Sequence, residues 1–323
     1  MVKSAPGDPT LALGNKDDIV FALMGQTKAG KSSLINRIYG AKVRRVGEEM
    51  ISCTKQLESV AIEEVPQYVQ DALRGRRIVL LDTPGFDDTD VGDDEILIRI
   101  ANWLETSLSS RYCKGMLVGG VLYLHDTTKD GWTGASRRNL NLFSKICGDD
   151  AMNLVRFLTT KWGNVPDTQL GNAERRIKEL KEKHWQPLIA HGAAVHHLDP
   201  PRQLSLPGGI QDPWVLIHQM LVSMNARQMR DRILLLQREL VKERRFLIES
   251  KAGRELSMSL EDLLARAKAL QRAAREDGVS SVDKEALQER QRQIDELTRQ
   301  IGNLTPALSK RLKRWVWNVL GFS

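Results

Sequence analysis

Residues 25 to 33 read "GQTKAGKSS", and the spacing Gly25, Gly30, Lys31, Ser32 is G-x-x-x-x-G-K-S. This combination suits the handling of a triphosphate. Glycines let backbone N–H groups approach phosphate oxygens, and a helix opening at Lys31 adds partial positive charge there. The lysine would reach the β- and γ-phosphates, and the serine hydroxyl would ligate Mg²⁺. Gly25, Gln26, Thr27, Lys28, Ala29, Gly30, Lys31, Ser32 and Ser33 are therefore the candidate nucleotide contacts.

Two further segments fit the same chemistry. "LLDTPGFDD" (80–88) places Asp82 at a strand end, where it can hold Mg²⁺ through water, and Gly85 where its N–H can face a γ-phosphate. "ISCTKQ" (51–56) offers Thr54 as a switch threonine that folds over Mg²⁺. Ser32, Thr54 and Asp82 form the candidate metal set. Lys31, Thr54 and Gly85 are the candidate catalytic groups, because each senses the γ-phosphate.

Base recognition and water activation depart from the usual pattern. "FLTTKWGNV" (157–165) supplies Thr160 and Lys161, but Gly163 stands where guanine binders carry an aspartate. A bidentate charged contact is thereby lost. Asn164 stands next to it, and Trp162 reads either as an aromatic face for the base or as core. Phe86 follows Gly85, where many small GTPases place a water-orienting glutamine, so slow turnover is expected. Asp87, Asp88, Lys28, Arg137 and Arg138 are alternative sources of the missing group. His125, His196 and His197 read more readily as structural histidines.

These groups need rigid elements. Apolar runs at 19–24, 77–82, 115–126, 154–160 and 193–198 suit strands covered on both faces, and 56–65 an edge strand. Amphipathic stretches at 32–39, 93–107, 137–146 and 174–183 lie between them. The alternation predicts a mainly parallel α/β sheet. From Pro213 the pattern becomes a last domain helix running into a long polar one, with breaks expected at Gly253 and Gly278. Leu287, Ile294 and Ile301, with Leu297 and Leu304, recur at seven residues, a short coiled-coil seam.

The 323 residues carry a net charge of +7. Residues 226–323 hold 21 Lys and Arg against 14 Asp and Glu, which accounts for all of it. The end, "KRLKRWVWNVLGFS" (310–323), sets basic residues before tryptophans and aliphatics, a pattern suited to peripheral contact with an anionic membrane. Interspersed acids argue against nucleic acid. The three cysteines lack metal spacing or an even count, and "MVKSAPGDPTLALGNKDD" lacks a signal-peptide core, so a cytoplasmic setting is expected.

Taken in order, "GQTKAGKSSLIN", "SCT", "LLDTPGFDDT", "GVLYLHD", "RNLNLFSKICGDD" and "TTKW" resemble the septin-related, immunity-associated (AIG-like) G-domain family, closest to fungal G-domain proteins. The resemblance spans about residues 17–222. It implies a P-loop G domain that binds GTP or GDP with Mg²⁺ and dimerises across the nucleotide face. The expected organisation is a lead-in (1–16), an α/β P-loop NTPase G domain (17–222), a helical extension (223–309) and the tail (310–323). The expected function is a Mg²⁺-dependent GTP-binding switch with slow hydrolysis. The alternatives are an ATP-binding P-loop protein, or a non-hydrolysing nucleotide-dependent scaffold with a membrane-docking tail.

Overall fold

The computed structural model describes residues 18–42, 58–86, 92–109, 117–204, 206–224, 234–243, 245–276 and 283–304. Among the described residues, seven strands form one sheet: β1 (Ile19–Gly25), β2 (Glu58–Ile62), β3 (Ile78–Asp82), β4 (Leu117–Asp126), β5 (Val155–Thr160), β6 (Ala194–Leu198) and β7 (Gly209–Ile210). Their order is β2-β3-β1-β4-β5-β6-β7. All pairs are parallel except β2 with β3.

Both faces of the sheet are covered. Along β1, Val20, Ala22 and Met24 enter one apolar cluster and Ile19, Phe21 and Leu23 the other. Helices α1 (Lys31–Tyr39), α2 (Gln67–Leu73) and α7 (Pro213–Val222) cover the second face. The first is covered by α3 (Asp93–Ser109), α4 (Gly134–Cys147) and α5 (Leu170–Glu179), and Leu188 of α6 (Gln186–Ala190) joins the same cluster. A strand buried on both sides needs a continuous apolar run, which is why the central strands are legible as such.

The edge strand within 56–65 is β2, and its antiparallel pairing fits its polar residues at an edge. Helix α4 starts before residue 137 because the Thr133 side chain accepts from Ser136 N and caps the turn. Helix α5 starts at Leu170, and a π-turn (Leu180–His184) carries its end into Trp185. Helix α2 was not apparent from the sequence: seven residues with only Val69 and Leu73 buried give too little periodicity.

The long polar helix expected after Pro213 is corrected. Helix α7 ends at Val222, and a fresh helical turn begins at Leu235. Leu234, Leu236 and Leu240 enter the same apolar cluster as α3 and α4. The break expected at Gly253 is also absent, since it lies within α8 (Lys251–Glu276). A Cβ there would fall 1.9 Å from Leu247 O, so glycine permits close chain approach instead. Gly278 lies outside the described residues. Helix α9 (Asp283–Leu304) packs on α8 and on α3. Among the described residues, no helix is long and apolar enough to cross a membrane.

Candidate nucleotide site

The loop between β1 and α1 is built on constrained backbone. Gly25 has φ 132°, and a Cβ there would lie 2.4 Å from Leu124 O of the neighbouring strand. Only glycine lets the chain turn this close to β4. Lys28 also holds a left-handed φ of 66° with its side chain exposed, while Ala29 is buried beneath the loop. Gly30, at φ 95°, starts α1 without a side-chain cap, so the N-terminus of the helix opens directly from the loop.

Lys31 folds over this loop. Its Nζ donates to Gly25 O at 3.2 Å and to Gln26 O at 3.0 Å. Gln26 Nε2 donates to Ser136 Oγ at 3.2 Å, tying the loop to the start of α4. One residue on, Ser32 Oγ donates to Asp82 Oδ2 at 2.8 Å. Asp82 is fully buried at the end of β3, whose pairing with β1 sets it opposite Leu23. A hydroxyl and a carboxylate are hard oxygen donors of the kind Mg²⁺ prefers, so the pair fits that ion. Among the described residues, no group of three or more His, Cys, Asp or Glu could hold a metal.

The segment after β3 lies against the loop. Thr27 N donates to Phe86 O at 3.2 Å and Thr27 Oγ1 to Gly85 O at 3.2 Å. A Cβ on Gly85 would sit 2.4 Å from Thr27 N, so no side chain fits there. Phe86 is fully buried in the cluster with α3 and cannot orient a water. Thr54, Asp87 and Asp88 lie outside the described residues.

The end of β5 completes the ring. Thr160 Oγ1 donates to Ala29 O at 2.8 Å, holding the loop from below. Lys161, at φ 62°, extends its Nζ to Asp126 Oδ2 at 2.7 Å. Burial pushes the Asp126 carboxyl upward, but hydrogen bonds from Lys161 and Thr128 outweigh this and hold it below its usual range. Asp126 was not apparent as a site residue. The signal available was its place at a strand end, in "YLHD".

The structure places the remaining residues weighed from the sequence. Trp162 is core: it is 1% exposed, and its Nε1 donates to Thr159 Oγ1 at 2.9 Å. His197 is fully buried and lies 2.7 Å from that same hydroxyl. Burial pushes the His197 imidazole down to about 4. His125 packs edge-on against Trp185 and is likewise pushed down to about 4 by burial. Arg138 lines a cleft with α8 and α9 and not the phosphate loop. Gly163 faces open space, with nothing within 4 Å of a Cβ built there.

The sheet order, the Gly25–Ser33 loop and the Asp82–Gly85 segment define a P-loop GTPase G domain with a C-terminal helical region. The family model described as "50S ribosome-binding GTPase" matches residues 20–142. Among solved structures, Toc33 from Arabidopsis thaliana in complex with GDP and Mg²⁺ is 16% identical at a TM-score of 0.46, covering 64% of this chain and 83% of that one. Era from Aquifex aeolicus bound to GDP.AlF4⁻ is 18% identical at a TM-score of 0.39, covering 64% of this chain and 57% of its own.

Proposed function

We propose that this chain binds guanine nucleotide with Mg²⁺, hydrolyses GTP slowly and acts as a conformational or assembly switch. The observation that carries this reading is the 2.8 Å bond between Ser32 and Asp82, at the mouth of a loop whose helix N-terminus faces the same point. Lys31 is poised to exchange its two loop carbonyls for phosphate oxygens. Bound Mg²⁺ would neutralise charge on the phosphates beside Ser32 and Asp82. Lys161, braced by Asp126, offers its alkyl stem as a platform for the base.

Buried Phe86 cannot orient a water from its own position, which supports slow turnover in isolation. A second copy meeting this face could supply the missing group, and the AIG-like resemblance supports such a homodimer. The basic–aromatic segment 310–323 supports peripheral membrane docking of a cytoplasmic protein.

Calorimetric titration with GTP, GDP and ATP in Mg²⁺ buffer tests the reading. Micromolar or tighter binding of GTP and GDP over ATP is expected. Equal affinity for ATP overturns the guanine assignment, and no binding of any of them overturns the site. Single-turnover hydrolysis at low and high protein concentration tests the dimer, since a rate that rises with concentration is expected.

A further inference from the structure

The helical region packs on the start of α3. Five residues, 87–91, separate Phe86 from Gly92, where α3 is about to begin. At that point the C-terminal turns of α9 are seated. Asn303 Nδ2 donates to Asp94 Oδ2 at 3.0 Å, and Asp94 is fully buried. A Cβ on Gly92 would fall 2.4 Å from Asp94 Oδ1 and 2.7 Å from Gln300 Nε2. Leu304 is buried in the cluster shared with α3 and α4, and Leu297 and Ile301 pack against it.

The other end of this hairpin is anchored firmly. Glu239 is 1% exposed; its Oε1 accepts from Arg245 at 3.0 Å and its Oε2 from Lys251 N, the first amide of α8, at 3.0 Å. Leu256 and Leu260 then bury one face of α8 in the domain core. Helix α8 is therefore fixed at its start, and α9 returns to the segment that follows Gly85.

We infer that the seating of α9 on the start of α3 is coupled to the nucleotide, and that a γ-phosphate weakens it. This rests on the proposed GTP site and names its output element. Gly85 and Phe86 are bonded directly to Thr27, and a Cβ on Gly85 would meet Thr27 N at 2.4 Å. A γ-phosphate that takes the Gly85 N–H draws on the same segment and competes with these contacts. GDP does not reach that point and leaves the contacts closed. The displaced chain leads within a few residues to Gly92 and Asp94, whose positions the α9 seat requires. Linkage is reciprocal, so loosening the seat must favour the γ-phosphate form.

The test is amide hydrogen exchange across residues 294–304 of the full chain, loaded with GDP or with a non-hydrolysable GTP analogue. Exchange about five-fold or more faster with the analogue is expected, the lower range of typical coupling. Asn303→Ala should raise affinity for the analogue relative to GDP by a similar factor. The reciprocal pair Asp94→Asn with Asn303→Asp, which keeps a donor opposite an acceptor, should restore the wild-type ratio. Equal exchange in the two states, with both nucleotides bound, overturns the coupling while leaving the nucleotide site standing. Binding of neither nucleotide overturns the site itself and the coupling with it.

Discussion

The Ser32 hydroxyl donates to Asp82 Oδ2 at 2.8 Å, joining the first turn of α1 to the buried end of β3. Fifty positions separate the two residues, and the contact exists because β1 and β3 are parallel neighbours. An oxygen pair held in this way is positioned before any cation arrives, so little reorganisation accompanies binding.

Removing either oxygen should uncouple nucleotide from Mg²⁺. Asp82→Ala and Ser32→Ala are each expected to make GTP affinity nearly the same with Mg²⁺ and with EDTA, whereas the wild type should lose affinity in EDTA. Titration in the two buffers checks this. Far-UV circular dichroism should show the fold retained for Ser32→Ala, whose side chain is not a core group.

Gly85 has no room for a methyl group. Gly85→Ala places a Cβ 2.4 Å from Thr27 N, so the loop or the segment must shift. Overpacking of this kind costs about 1–3 kcal/mol. A lowered Tm together with weakened nucleotide binding is expected, read by thermal unfolding with and without GDP.

Gly163 presents the opposite case. Nothing lies within 4 Å of a Cβ built there, so Gly163→Asp should fold normally. A restored carboxylate facing the guanine edge should sharpen GTP over ATP by about ten-fold or more, the scale of a hydrogen bond to a charged group. Competition binding reads the ratio, and an unchanged ratio would place the base elsewhere.

Buried histidine makes stability depend on pH. His197 is held down to about 4 by burial, with Lys181 and His196 adding to the effect, against about 6.5 when unfolded. Between these values the unfolded chain binds more protons, so stability rises with pH. The contribution is complete above about pH 6.5 and is lost progressively as the pH falls toward 4. Urea unfolding at pH 4.5, 5.5 and 7 should show the decline, and His197→Gln, which can still bond Thr159, should reduce it and leave the share of His125, also held down to about 4.

The P-loop of this chain was legible because it is local. Gly25, Gly30, Lys31 and Ser32 act through backbone conformation and short spacing, both written in nine consecutive residues. The central strands were legible because burial on both faces demands unbroken apolar runs. Asp126 was hidden because its partner, Lys161, is 35 positions away, and only the pairing of β4 with β5 brings them to 2.7 Å. Trp162 could not be assigned from its type, since an indole serves a base or a core equally well. The bond from its ring nitrogen to buried Thr159 decided for the core. The seat of α9 was beyond any spacing rule: Asn303 meets Asp94 across 209 positions, and a helix surface does not name its partner. Residue type and periodicity set which groups can do chemistry. Which of them meet is settled by the order of strands and the faces left for helices to cover.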